Sequence, residues 1–427
     1  MKFKVYLDSA AIVCKQNNLL LSRLYFYLHV NGHEIIQNPS LADFIFVSTC
    51  GFDKSHEEYS LGIFKKYNMS CKSRLVSVGC LNKINPEVIN LLDPTIQVAN
   101  EGIELDRIFF RQVKFDDVRE YYTDDRINKE INIERMHHKE RKLQNKIGLL
   151  LAHLFRKSEL YAKMSNEINR RNKSYVVISR GCVQNCAYCV IKKACGNVAS
   201  RSPEDILQNI DRIYSPDKNL GLIADDCGCY GLDTGTSFPA LLEKIHERYP
   251  GIKIDIPYIN PNWLVKYEKE YTEFFKKMNV VIFSMPIQSG SNRIIKAMNR
   301  NYDIHQVLGV LDRIKAISPS TVFLTQVIVG FPGETWTDFF KTLKAIRKFH
   351  GTNPFAYSDR EGALSHTYKD KKSKAVILIR YVLAISFSTI NMFSKVFKDL
   401  VSHKKKLRAQ PRPLHEEMVP HSDSRHK

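Results

Sequence analysis

The chain has 427 residues, 44% of them hydrophobic, with 64 Lys and Arg against 45 Asp and Glu and a net charge of +19. That length allows two or three domains with sizeable cores. The start Met1-Lys2-Phe3-Lys4-Val5-Tyr6-Leu7 reads as a first strand, so the ten cysteines argue against a disulfide framework and for free thiols in a reducing cytoplasm. The positive charge suits a nucleic-acid partner, but its excess gathers around 126–173 and 402–412, where solvated helix faces and a basic tail account for it equally well.

From the amino terminus, Lys4-Val5-Tyr6-Leu7, Phe44-Ile45-Phe46-Val47 and Leu75-Val76-Ser77-Val78 predict buried parallel strands, with a packed helix over Leu19 to Leu28 between the first two. This alternation predicts a small α/β domain over residues 1–118. Residues 119–172 are rich in Arg, Lys, Glu and Asn around an apolar patch, Ile147-Gly148-Leu149-Leu150-Leu151. They predict a charged helical insertion or linker, with a disordered tether as the alternative. Strand and helix alternate again over 173–370. Tyr175-Val176-Val177-Ile178, Leu220 to Ala224, Val280 to Phe283 and Thr325 to Val329 are strands, and Ser202-Pro203 opens a helix. The repeated order predicts a partial or full (βα) barrel with its chemistry at the strand carboxyl ends. In 371–427, Ala375 to Phe393 is an apolar helix ahead of the basic run Lys404-Lys405-Lys406. Its length is borderline for a membrane span and it contains Arg380 and Asn391, so the expectation is a helix packed on the protein or on a partner, with membrane attachment the lesser alternative and no transmembrane span.

Three thiols stand close together in Cys182-Val183-Gln184-Asn185-Cys186-Ala187-Tyr188-Cys189. On one short loop they can hold three irons of a [4Fe–4S] cluster and leave the fourth iron open, whereas ordinary electron-transfer clusters are closed by a fourth protein ligand. A structural zinc site is the alternative, but zinc motifs pair two such knuckles or add His, and no second knuckle follows. An open iron can chelate the amino and carboxylate groups of S-adenosylmethionine, and the spacing resembles that of the radical S-adenosylmethionine enzymes. Cys14, Cys50 and Cys80 each follow a predicted strand, and loops at strand carboxyl ends share one rim, so these three can also converge. The other reading of them is buried apolar cysteine.

With those six cysteines come Asn17, Ser48-Thr49-Cys50, Val78-Gly79-Cys80-Leu81, Ser179-Arg180-Gly181-Cys182 and Tyr230-Gly231-Leu232-Asp233. Further on stand Pro286-Ile287-Gln288-Ser289-Gly290-Ser291, Met298-Asn299-Arg300 and Val329-Gly330-Phe331-Pro332-Gly333-Glu334-Thr335. In this order the series resembles the radical methylthiotransferases of the MiaB and RimO type. The resemblance implies an enzyme with two [4Fe–4S] clusters, one on Cys14, Cys50 and Cys80 and one on Cys182, Cys186 and Cys189. It also implies two uses of S-adenosylmethionine: methylation of a sulfur on the first cluster, and reductive cleavage at the second to a 5′-deoxyadenosyl radical that takes hydrogen from an unactivated C–H bond. Tyr188, Gly330, Phe331 and Pro332 would lie near the adenine, and Gln288, Ser289 and Ser291 near the ribose or methionyl group. A reductant such as flavodoxin or ferredoxin would supply the electron.

Leu222 to Gly231 and Tyr357 to Ala363 are nearer the RimO form. This makes a protein or peptide side chain, such as the β-carbon of Asp, the first expected substrate and a tRNA adenosine the second. Sulfur insertion without methylation and a non-catalytic scaffold are the remaining alternatives. Four features depart from the family. Cys227 and Cys229 replace the usual hydroxyl or small residues, Val13 stands where Gly precedes Cys14, the 119–172 insertion is long, and after Tyr368 no run of short strands announces the small all-β TRAM domain.

Overall fold

Two parallel sheets follow one another along the chain in the computed structural model, which describes residues 2–10, 14–100, 102–118, 158, 160–164 and 173–409. The first takes the order β2 (Glu34–Ile35), β1 (Lys4–Ser9), β3 (Phe44–Thr49), β4 (Arg74–Gly79), β5 (Gln97–Val98). Alternate side chains go to opposite faces of its pleat. Val5, Leu7, Phe44 and Phe46 pack with Leu24 and Tyr27 of the helix Lys15–Val30, while Ile45, Val47 and Leu75 pack with Phe64 and Tyr67 of the helix Lys54–Ser70. The strand order reverses between β1 and β3, the place where open α/β sheets take their ligands. Cys14 and Cys50 follow those two strands.

The second sheet has six parallel strands: β6 (Lys173–Val177), then, beyond an antiparallel pair β7 (Ser179–Arg180) and β8 (Ala199–Ser200), β9 (Asn219–Ile223), β10 (Lys253–Ile256), β11 (Asn279–Ser284), β12 (Val322–Val329) and β13 (Gly351–Ala356). Each pairs with the next in chain order, which makes an incomplete (βα) barrel. Ser202 accepts from the Asp205 N–H and Pro203 occupies the first turn of its helix, as the sequence predicts. Inside the barrel, Lys173 and Asp255 form a buried ion pair at 2.7 Å.

The two sheets meet along a seam. Leu19 packs on Tyr175, Val177 and Ile223. The rings of Phe52 and Phe355 lie 5.6 Å apart, and the buried Arg360 donates to Glu57 at 2.7 Å and to the Gly51 carbonyl at 3.3 Å. The insertion expected over 119–172 lies outside the described residues except for Ser158 and 160–164; there Ser158 donates to Asp399 at 2.8 Å, and Leu160 and Met164 pack near Met392. The C-terminal helix runs Lys374–Ala409, well past the expected end at Phe393, and lies against β13 and the helix Trp336–Ile346.

Candidate metal centres and active site

The loop after β6 is shaped by its neighbours before any metal is considered. Gly181 adopts φ +84°, and a Cβ there would lie 1.9 Å from the Asn197 carbonyl oxygen, so only glycine fits. Its N–H donates to Asp225 at 2.7 Å. The segment Met298-Asn299-Arg300 supports the loop at three points. The Met298 carbonyl accepts from the Ala187 N–H at 2.9 Å, the Asn299 amide donates to the Asn185 carbonyl at 2.7 Å, and Arg300 donates to the Tyr188 hydroxyl at 2.9 Å. The sequence motif gave no role to these three residues; their positions supply one. Arg300 is buried and its charge acts on Cys186.

Cys182, Cys186 and Cys189 interact electrostatically with one another. Burial pushes the Cys186 thiol up and the Cys189 thiol up to about 11. Cys182 goes the other way, held down by a hydrogen bond from Cys229. Cys182 Sγ, Cys229 Sγ and a carboxylate oxygen of Asp226 lie within 4.8 Å of one another. Asp226 is fixed by N–H donors from Gly228, Asn260 and the Trp263 indole at 3.1, 3.0 and 2.9 Å. Cys229 therefore borders the first ligand, whereas Cys227 turns its thiol to the Leu222 carbonyl and is wholly buried.

The amino-terminal thiols are brought together by strand pairing. In the β3–β4 ladder Thr49 stands opposite Gly79, which places Cys50 and Cys80 side by side. Cys50 is hydrogen-bonded to Cys80 and feels the charge of Cys14, which directly precedes the helix Lys15–Val30. The hydrogen bond from Cys50, with the Gly51 N–H donating at 3.2 Å, lowers the Cys80 thiol to about 7; the same pairing and burial push Cys50 up. Gly79, at φ +103°, lets the chain turn here, since a Cβ would lie 2.6 Å from the Thr49 carbonyl. Ser60 accepts from the Cys50 N–H at 3.0 Å and Asn17 donates to the Thr49 carbonyl at 3.1 Å.

The remaining expected site residues divide. Tyr188, Phe331, Tyr357 and Ala187 share one apolar cluster beneath the barrel loop, so Tyr188 and the Gly330-Phe331-Pro332 strand end are brought together. Gly330 has φ +80° and its N–H donates to Glu334 at 2.8 Å; Glu334 is paired with Arg380 of the C-terminal helix at 2.7 Å. Gln288 holds φ +59°, a costly conformation for this residue, and its buried Oε1 meets no donor among the described residues. Ser289 and Ser291 instead turn their hydroxyls to Thr342 at 3.3 Å and Asp338 at 2.6 Å. They brace the strand end rather than face a ligand.

These residues fit the groups the sequence implies. All the thiols concerned are free, those of each triad lie close enough to interact electrostatically, and thiolate rather than thiol is the metal ligand. The orphaned Gln288 oxygen offers an acceptor for a hydroxyl or ammonium group.

Comparisons with known proteins give the chain's relatives. The family model of the Radical SAM superfamily matches residues 176–346. A probable threonylcarbamoyladenosine tRNA methylthiotransferase from Pyrococcus abyssi is 27% identical over 394 residues, covering 90% of this chain and 85% of that protein. The ribosomal protein uS12 methylthiotransferase RimO of Thermosipho africanus is 28% identical over 404 residues, covering 91% and 85%. Among solved structures, the radical S-adenosylmethionine methyltransferase TsrM from Kitasatospora setae superposes with a TM-score of 0.51 at 10% identity, over 84% of this chain and 74% of that one. That likeness is one of fold.

Proposed function

We propose, for a chain that belongs to the radical S-adenosylmethionine methylthiotransferases, that it attaches a methylthio group to an unactivated carbon of a protein or peptide side chain. Its family uses S-adenosylmethionine and a [4Fe–4S] cluster; the reading adds a second cluster. One observation carries the reading. Val190, the residue after Cys189, packs with Ile84 and Ala363, and Cys80 borders the same cluster, which supports a common seam for the two triads.

In this reading Cys182, Cys186 and Cys189 hold one cluster and Cys14, Cys50 and Cys80 the other. When bound, these groups and S-adenosylmethionine supply the radical that removes hydrogen and the sulfur that replaces it. The chain's own residues set the geometry. Met298, Asn299 and Arg300 hold the loop of the first triad, and β3–β4 pairing holds two thiols of the second. The cluster of Ala187, Phe331 and Tyr357 keeps water from the underside of the barrel loop. The unpartnered Gln288 oxygen would accept from the ribose or amino group, and Arg360, buried in the seam, ties the two sheets together. A cavity of about 640 Å³ beside Arg300 is lined by Lys266 and Lys296 against the single carboxylate of Asp303, and this excess of positive charge favours an anionic group on the substrate, as an aspartate would provide.

The second reading is a tRNA adenosine. It is favoured by the net charge of +19 and by the tRNA-modifying relatives, and phosphates would suit the same lysines. Mass spectrometry after anaerobic reaction separates the two. A methylthio gain on a peptide or protein side chain supports the first reading. Methylthioadenosine in digested tRNA, with unmodified protein, overturns it.

A further inference from the structure

The C-terminal helix grips the barrel with one side and leaves the other bare. Arg380, Ala384, Ser388 and Val396 recur on the four-residue spacing of a single face and are buried. On the opposite side Leu378, Val382, Ile390 and Phe397 are 60%, 52%, 69% and 63% exposed. No charged residue interrupts the helix from Tyr381 to Ser394, and the helix is long and apolar enough to cross a bilayer, yet only 17% of its most apolar stretch is buried. The neighbouring helix Trp336–Ile346 extends the surface. Trp336 and Phe340 are 43% and 58% exposed, and the Arg380 guanidinium lies 4.8 Å over the Trp336 ring.

Basic residues ring this patch. Lys341 and Lys344 are exposed further along the Trp336–Ile346 helix and Arg347 just after it, Lys369 and Lys374 precede the apolar stretch, and Lys398 follows it. The helix then continues through Lys404-Lys405-Lys406-Leu407-Arg408. From Tyr368 to Ala409 the acidic residues are Asp370 and Asp399, engaged with Lys372 and Ser158.

We propose that this face docks the protein on an anionic lipid surface, with the helix lying in the plane of the membrane. An apolar stripe with an exposed tryptophan and lysines at both ends is the chemistry of an interfacial helix. A second copy of the chain fits less well. With lysines at both ends, either orientation of a helix pair sets like charges against each other, whereas anionic headgroups neutralise both ends. The buried Arg380–Glu334 ion pair ties the helix to the barrel, which favours lying on the membrane over crossing it.

The test is flotation of the full chain with vesicles of phosphatidylglycerol and phosphatidylcholine, against vesicles of phosphatidylcholine alone. The chain floats with the anionic vesicles and binds the neutral ones at least about tenfold more weakly. Val382→Asp and Ile390→Asp, both on the exposed side, each lower anionic-vesicle binding about tenfold or more while far-UV circular dichroism stays unchanged. Failure of the native chain to float, or flotation of both variants like the native chain, overturns the proposal. So does a native dimer that Val382→Asp converts to a monomer, which would make the face a self-association surface.

Discussion

Cys182, Cys186 and Cys189 sit on one loop, fixed by a glycine turn and by three contacts from Met298, Asn299 and Arg300. Cys14, Cys50 and Cys80 come from three separate crossovers and meet because β1, β3 and β4 are neighbours in one sheet. The first triad is built by local sequence and the second by topology. A thiol set of the first kind depends on one turn, whereas one of the second kind depends on the whole sheet and on the seam beside it.

The contrast predicts separable losses. Cys186→Ala abolishes both 5′-deoxyadenosine and methylthio product. Cys50→Ala abolishes the product but leaves 5′-deoxyadenosine formation within about threefold, because the barrel loop does not need the first sheet. Chromatographic assay of both species decides it, and equal loss of both in the two variants would break the comparison.

Arg360→Ala removes a guanidinium buried between Glu57 and the Gly51 carbonyl. Leaving that carboxylate unpaired costs about 3 kcal/mol, read as a lower denaturant midpoint. The loss falls on transfer between the triads, so product declines more than 5′-deoxyadenosine.

Gly79→Ala forces φ +103° on a residue whose Cβ meets the Thr49 carbonyl and costs about 1–3 kcal/mol. In anaerobic reconstitution it lowers the iron bound by Cys14, Cys50 and Cys80 and spares that bound by the barrel loop.

The smallest effect is a pH dependence. His350 accepts the Phe323 N–H at 2.9 Å, and burial, reinforced by nearby lysines, pushes its pKa down to about 3. Below the ordinary histidine value the unfolded chain takes up a proton that the folded barrel refuses. The contribution is therefore whole above pH of about 6.5 and lost as pH falls, by about 1.4 kcal/mol at pH of about 5.5. Asp8 in the first sheet has its pKa raised by burial, so acidification acts there in the opposite sense. Thermal melts of the native chain and His350→Gln across this range check the difference, with a flatter profile in the variant.

Much of this was legible in the sequence where a residue's task is local. The strands β1, β3, β4, β9 and β11 are short apolar runs, and the Cys182 loop announces itself by spacing. β10 is hard to see in the sequence because Lys253 and Asp255 interrupt it, and Asp255 is held by Lys173 and by the Asn219 amide, both far away in sequence. β13 carries Asn353 and Pro354, acceptable on an edge strand that pairs with β12 alone. Arg300 stood in a quoted motif, but nothing local says that it reaches Tyr188. Ser289 and Ser291 looked like ligand contacts, yet their partners Thr342 and Asp338 lie on a later helix. Cys229 was noticed as a departure; its approach to Cys182 follows from β6 and β9 being adjacent.

The central claim is that both triads carry clusters beside one seam. Mössbauer spectroscopy with iron analysis on anaerobically reconstituted protein tests it most directly. The native chain should hold about eight irons in two [4Fe–4S] clusters, and a variant with Cys14, Cys50 and Cys80 all changed to Ala about four. Equal iron in the two proteins, or about four in the native chain, would contradict it.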